Sequence, residues 1–399
     1  MNILFLTISW PSNNERNLYS DLMGEFIIHG HKIYVVNAVE STLNASSHFC
    51  VENDLHLLKV RAGKIKKTNY LRKTLSLLRL NFQMKKAINK HLKDINYDLI
   101  IANTPPITFS GLIIYLKQKY AAPFYLLLKD IWPQGSVDLK VFKKFSPPWF
   151  FFRFHEKRIY KHADYIGCMS PKGVDYILKQ NPELSSKKVE ECPNSIRPVY
   201  HSNTHNLETR KKFGIPQNST LFIFSGNLGK GHGLDFLVDA IKNLADYDKA
   251  FFIIGGSGTH FKYLQNYFRK MKPVNAMLYE RLPLNDYIEI ASASDVGLIL
   301  LDKRYSVPQF PSRLLSYLEL AKPVLCAINP GTDIGEIVEN AGCGRSVIHG
   351  DMDGFINAVK YLSTDIEARK KMGQNSIKLL EEKYTVKRGY EIIMKHFKN

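Results

Sequence analysis

The sequence predicts an α/β protein built from two Rossmann-like domains. Three observations carry this. At 399 residues the chain is too long for one ordinary core. Short β-branched and aromatic runs alternate with helical stretches throughout. The alternation also starts twice, the second time after a polar interruption from about Arg197 to Asn218.

The first series opens with NILFLTI and KIYVVNA, strand-like runs separated by the helical YSDLMGEFIIHGH. DLIIANTPP is a buried strand running into a Pro-Pro loop, and FYLLLKDIWP and ADYIGCMS have the same shape. The second series begins with STLFIFSGNLGKGHG, a strand and a Gly-rich turn, then the helix LDFLVDAIKNL. AFFIIGGSG, DVGLILL and KPVLCAI are further strands. The expected domains are residues 1–197 and 198–380, with a basic C-terminal helix, about 381–399, packing back onto the first.

No apolar run reaches the roughly 18 residues of a membrane-spanning helix. MNILFLTISWPS lacks a basic leader and reads as a first strand. The five cysteines (Cys50, Cys168, Cys192, Cys326, Cys343) form no CxxC pair, which predicts a reducing, cytoplasmic setting and no metal site or cofactor. The net charge of +18 calls for an anionic partner: nucleic acid, an anionic membrane surface or a phosphorylated substrate. Between Lys59 and Lys93 there are twelve Lys or Arg and no Asp or Glu.

Ligands of open α/β sheets bind beyond the carboxyl ends of the strands. FSGNLGKGHG places four glycines and Lys230 at such an end, just before a helix. Backbone N–H groups and the helix dipole there suit a diphosphate; a tight turn with a solvated lysine is the alternative. IIGGSG fits a turn as well as a ligand loop. In QFPSRLLSYLELAKPVL, Pro311 and Ser312 start a helix and Arg313 sits in its first turn. A cation is unfavourable at that end unless an anion stands before it; otherwise Arg313 is a surface arginine lying along the helix. In KDIWPQGS, Asp130 ends a strand and is a candidate for catalysis or for orienting a hydroxyl, or else caps the next turn.

Two segments suit the headgroup region of an anionic bilayer. One is the acid-free run with Lys66, Lys67, Arg72 and Lys73, amphipathic at helical spacing. The other, Val141 to His162, interleaves Trp149, Phe150, Phe151 and Phe152 with Lys and Arg. The alternative is that the aromatics belong to the core.

Eight stretches in order resemble the retaining GT-B glycosyltransferases of family 4, in the branch that builds capsule and O-antigen repeat units. They include SWPSNNERNLYSDLMGEFIIHGHKIYVV, NTPPI, KDIWP, ECPNSI, GNLGKGHGLDFLVDAI and PSRLLSYLELAKPVL. The resemblance implies two domains facing across a cleft, the first binding acceptor and the second the nucleotide-sugar. Gly226 and Asn227 would line the diphosphate turn, with Lys230 its cation, since many relatives have arginine at the Asn227 position. Arg313, beside Ser312, would contact the diphosphate, and Leu314 and Leu315 would offer backbone N–H groups. Arg281 sits where the family's chain passes the nucleotide base. The family's glutamate pair is replaced by Pro308 and Ser316, leaving Ser316, Glu319 or backbone for the ribose. PSNNERN stands in place of a glycine loop, making Arg16 and Asn17, with Trp132, the acceptor-side candidates.

The implied reaction transfers an N-acetylated amino or deoxy sugar from a UDP-sugar, with retention and without metal. Lys230, Arg313 and Asp130 would serve the chemistry. The implied acceptor is a polyprenyl-diphosphate-linked saccharide at the cytoplasmic face of the inner membrane, with the enzyme bound peripherally. A hydrolysing UDP-N-acetylhexosamine 2-epimerase would need an acidic and histidine cluster that the sequence does not display. A nucleic-acid-binding protein would explain the charge, but no RNP, KH or helix-turn-helix pattern appears, so no nucleic-acid partner is expected.

Overall fold

The computed structural model describes residues 1–399 except 12–14, 41–46, 53, 66–69, 201–205, 282 and 398–399. The chain divides into two compact units, Met1–Arg197 with Val386–Asn399, and Pro198–Thr385.

Unit 1 contains β1 (Asn2–Thr7), β2 (Lys32–Glu40), β3 (His48–Glu52), β4 (Leu55–Ala62), β5 (Leu99–Asn103), β6 (Phe124–Leu128), β7 (Tyr165–Cys168) and β8 (Val189–Glu191). They form one sheet in the order β3-β4-β2-β1-β5-β6-β7-β8. All pairs are parallel except the β3–β4 hairpin. β5 and β6 are buried along their whole length, because helices cover both faces of a parallel sheet.

Unit 2 contains β9 (Thr220–Asn227), β10 (Ala250–Ser257), β11 (Ala276–Glu280), β12 (Val296–Leu300), β13 (Val324–Ile328) and β14 (Gly344–Ile348). Their order is β11-β10-β9-β12-β13-β14, all parallel. This is the doubly wound Rossmann order, whose switch point lies between β9 and β12. The corresponding switch point of unit 1 lies between β1 and β5.

The helix Val386–Met394 joins the core of unit 1, contributing Val386, Tyr390, Ile393 and Met394 beside Phe26 and Val35. Tyr390 stacks on His29 with ring centroids 4.0 Å apart, and its hydroxyl lies 3.0 Å from His31 Nε2. The preceding helix, Ile366–Lys383, lies within unit 2, so the segment that returns starts at Val386, beyond the position about 381 expected from sequence. Among the described residues no helix is long and apolar enough to cross a membrane.

Candidate active site

In unit 2 the strand β9 is buried until Ser225 and then emerges at Gly226 and Asn227. Two glycines are favoured by a positive φ and by close contacts, one with backbone and one with a side chain. A Cβ on Gly256, at φ +143°, would fall 1.9 Å from the Gly226 carbonyl oxygen. One on Gly233, at φ +57°, would fall 2.1 Å from His349 Nε2. IIGGSG is therefore explained by contact between two strand ends. Lys230 is exposed at the start of a short 3₁₀ turn, Lys230–His232.

Arg313 opens the helix Arg313–Glu319 and turns inward. Its guanidinium carbon stands 3.9 Å from the centre of the Phe224 ring. Nη2 donates to His232 Nε2 at 3.3 Å, while His232 Nδ1 donates to the Leu300 carbonyl at 3.2 Å. This requires a neutral imidazole with its hydrogen on Nδ1. Burial first, and the Arg313 charge second, push the His232 pKa down to about 4. Burial likewise pulls the Arg313 pKa below its ordinary value. Nη2 also comes within 3.9 Å of where a Gly226 side chain would begin. Nη1 is buried without a hydrogen-bond partner. A buried cationic donor left open is costly unless an anion pairs with it.

Other donor-side candidates are placed differently. The N–H groups of Leu314 and Leu315 donate to the carbonyls of Pro311 and Ser312, both at 3.1 Å, so this first turn offers neither to a ligand. Ser312 is the N-cap residue, without a side-chain capping bond. One Glu319 carboxylate oxygen accepts the Val199 N–H at 2.7 Å, whereas Ser316 is half-buried on the same helix. Arg281 is exposed just past the edge strand β11, at φ +132°.

In unit 1 the carboxyl ends of β1, β5 and β6 border a cavity of about 690 Å³ lined by Ile8, Pro105, Pro106, Asp130 and Trp132. The helices Tyr70–His91 and Pro147–His162 close it with Leu77, Leu78, Phe151 and Phe152. Thr104 Oγ1 accepts the Lys129 N–H at 3.0 Å and donates to the Asp130 carbonyl at 3.4 Å, fixing the KDIWP segment beside the Pro-Pro loop. Asp130 is open on its cavity side, yet the groups around it raise its carboxyl pKa by burial while Lys129 draws it back. Burial lowers the Lys129 ammonium to about 8. Trp132 packs edge-on to Phe142 and Phe152, at 5.9 and 5.4 Å.

Arg16 and Asn17 have structural duties here. Asn17 caps the helix Leu18–Ile28 through Tyr19 and Ser20 N–H groups, in a reciprocal capping box. Arg16 pairs with Asp21 at 2.9 Å, and Asp21 also accepts the Arg197 N–H. On the helix Pro147–His162, Phe151 and Phe152 face the cavity, Trp149 is half-buried, and Phe150 is 57% exposed. Phe145 and Phe154 are equally exposed. Arg72 is exposed, whereas Lys66, Lys67 and the side chain of Lys73 lie outside the described residues.

Comparison with known proteins shows what this topology is similar to. Residues 206–379 match the family model "Glycosyl transferases group 1". The chain is 24% identical over 253 residues to the probable glycosyltransferase WbjE of Pseudomonas aeruginosa, which is 62% of this chain and 61% of that one. Sucrose-phosphate synthase from Thermosynechococcus elongatus superposes with TM-score 0.75 at 13% identity, covering 99% of this chain and 98% of that one. HepE of Anabaena, solved with UDP-glucose, gives TM-score 0.71 at 16% identity, covering 100% and 99%. The whole chain therefore has the two-domain GT-B fold, and residues 206–379 carry the similarity to the glycosyltransferases of group 1.

Proposed function

We propose that the chain transfers a sugar from a UDP-sugar to a polyprenyl-diphosphate-linked saccharide, with retention, in polysaccharide assembly at an anionic membrane. The observation that carries this reading is the buried, unpartnered Nη1 of Arg313 beside Gly226. HepE, solved with UDP-glucose, supports the choice of nucleotide.

The reaction breaks the bond between the anomeric carbon and the departing β-phosphate oxygen. The acceptor hydroxyl forms the new bond on the same face, and its proton leaves with the diphosphate. Negative charge grows on that diphosphate as the bond breaks. Arg313, held by Phe224 and His232, and the exposed Lys230 stabilise it without reorganising. Gly226 and Asn227 flank the diphosphate, Arg281 lies toward the base, and Ser316 serves the ribose, with Glu319 already engaged by Val199. In unit 1, the exposed Asp130 orients the acceptor hydroxyl and Trp132 supports the acceptor.

The membrane partner follows from unit 1. Arg72, Leu75, Arg79, Phe82, Lys86 and Lys90 are exposed along one face of the helix Tyr70–His91. Cations alternating with large apolar groups at three- and four-residue spacing suit an interfacial helix. Phe145, Phe150 and Phe154 add exposed aromatic surface.

The test is a panel of nucleotide-sugars scored by thermal shift, because a ligand held only by the folded state raises the midpoint. UDP-sugars are expected to raise it and GDP- and dTDP-sugars to leave it unchanged. Equal responses to all three, or to none, would reject the donor assignment.

A further inference from the structure

We infer that the cavity of unit 1 holds the isoprene units nearest the diphosphate of the lipid-linked acceptor. This rests on the reading of that acceptor as polyprenyl-linked, and it assigns the lipid chain a site of its own on the protein.

The cavity lies at the β1/β5 switch point, where a doubly wound sheet leaves a crevice for ligand. Its volume of about 690 Å³ falls within the range of sites for small molecules. Among the described residues lining it, Asp130 is the one charged group, and the hydroxyls of Thr74 and Thr108 and the indole N–H of Trp132 are the other polar side-chain groups. A saccharide seated there would strand most of its hydroxyls against Leu77, Leu78, Phe151 and Phe152, and unpaired polar groups in apolar surroundings are costly. A hydrocarbon gains from the same walls. The walls are also braced: Trp132 and Phe152 hold each other edge-on, so the space does not depend on a loose side chain.

Charge decides between a lipid substrate and any other apolar molecule. The two helices that wall the cavity also carry Arg72, Arg79 and Lys86 on one, and exposed Phe150 and Phe154 on the other. An apolar space flanked by cations and by bilayer-seeking aromatics matches a molecule that is part hydrocarbon and part diphosphate.

The test follows Trp132 emission in the full-length protein titrated with farnesyl diphosphate, farnesol and inorganic diphosphate. Saturable changes are expected with both farnesyl compounds and none with inorganic diphosphate, and Trp132→Phe should remove the response. Leu78→Phe and Thr74→Phe should each weaken farnesol binding about tenfold by filling the space. Both should keep the midpoint shift given by UDP, since they lie in the other unit. An inorganic diphosphate response equal to that of farnesyl diphosphate would overturn the inference. So would undiminished farnesol binding in both filled variants. Should a variant fail to fold, the farnesol response of the unaltered protein decides alone. Loss of the UDP response with farnesol binding intact would instead reject the donor assignment.

Discussion

The two units share a strand order around their switch points and finish those points with opposite chemistry. In unit 2, β9 ends in glycines, and the space beside it receives a buried guanidinium with an open donor. In unit 1, β5 and β6 end in Pro-Pro and Trp-Pro segments around an apolar cavity with a single carboxylate. The same topology thus serves an anion in one place and hydrocarbon in the other. The distinction is made by side chains that follow the strands, because the sheet fixes only where the crevice lies.

The contrast is sharpest at Arg313. Arg313→Met removes the open donor while keeping an unbranched chain against Phe224. Turnover should fall about 10²–10³-fold and the UDP-induced midpoint shift should vanish. The unliganded midpoint should hold or rise, because a buried charge with an open donor is costly to the folded state. A steady-state assay paired with calorimetry reads both, and retained UDP binding would refute the donor site. Asp130→Asn alters the candidate site of the other unit. Transfer should fall about 10²-fold with the UDP shift unchanged, and a lost UDP shift would mean that the two sites are not separable.

A smaller effect concerns pH. His232 titrates near 4 when folded and near 6.5 when unfolded, so the unfolded chain binds the extra proton first. Its contribution is complete above pH 6.5 and is lost as pH falls toward 4, by up to about 3 kcal/mol. His232→Gln should flatten the fall of the unfolding midpoint over that window. It should also weaken UDP several-fold by freeing Arg313. An unchanged pH slope would show that the imidazole is not held neutral. Least in size is the surface of unit 1: Phe150→Ser with Phe154→Ser should reduce co-sedimentation with anionic vesicles several-fold, leaving turnover on a soluble acceptor analogue intact.

The strands were legible because runs such as LFIFS and YLLL are short, apolar and followed by glycine or proline. Arg313 was legible because a cation at a helix start needs a reason. Its partner His232 was not, since an imidazole in a glycine turn carries no periodic signal and its role depends on Leu300, almost seventy residues later. Arg16 and Asn17 looked like ligand residues because helix caps use the same polar side chains as binding loops. The N–H groups of Leu314 and Leu315 looked available because only geometry reveals a tightened first turn. Phe151 and Phe152 line a cavity while their neighbour Phe150 is exposed, a division set by what packs against each side of the helix and not by the aromatic run itself.

The helix Val386–Met394 has a consequence for how the protein is made. His31 and Tyr390 meet across 359 positions, and four residues of that helix are part of the first unit's core. A ribosome delivers the whole of the second unit before those residues emerge. The second unit has its entire sequence available to fold during synthesis, whereas the first must wait, with Phe26 and Val35 short of their partners, until Val386–Met394 has emerged. The part that is translated first is therefore completed last, and its half-built core is what chaperones would meet on the nascent chain.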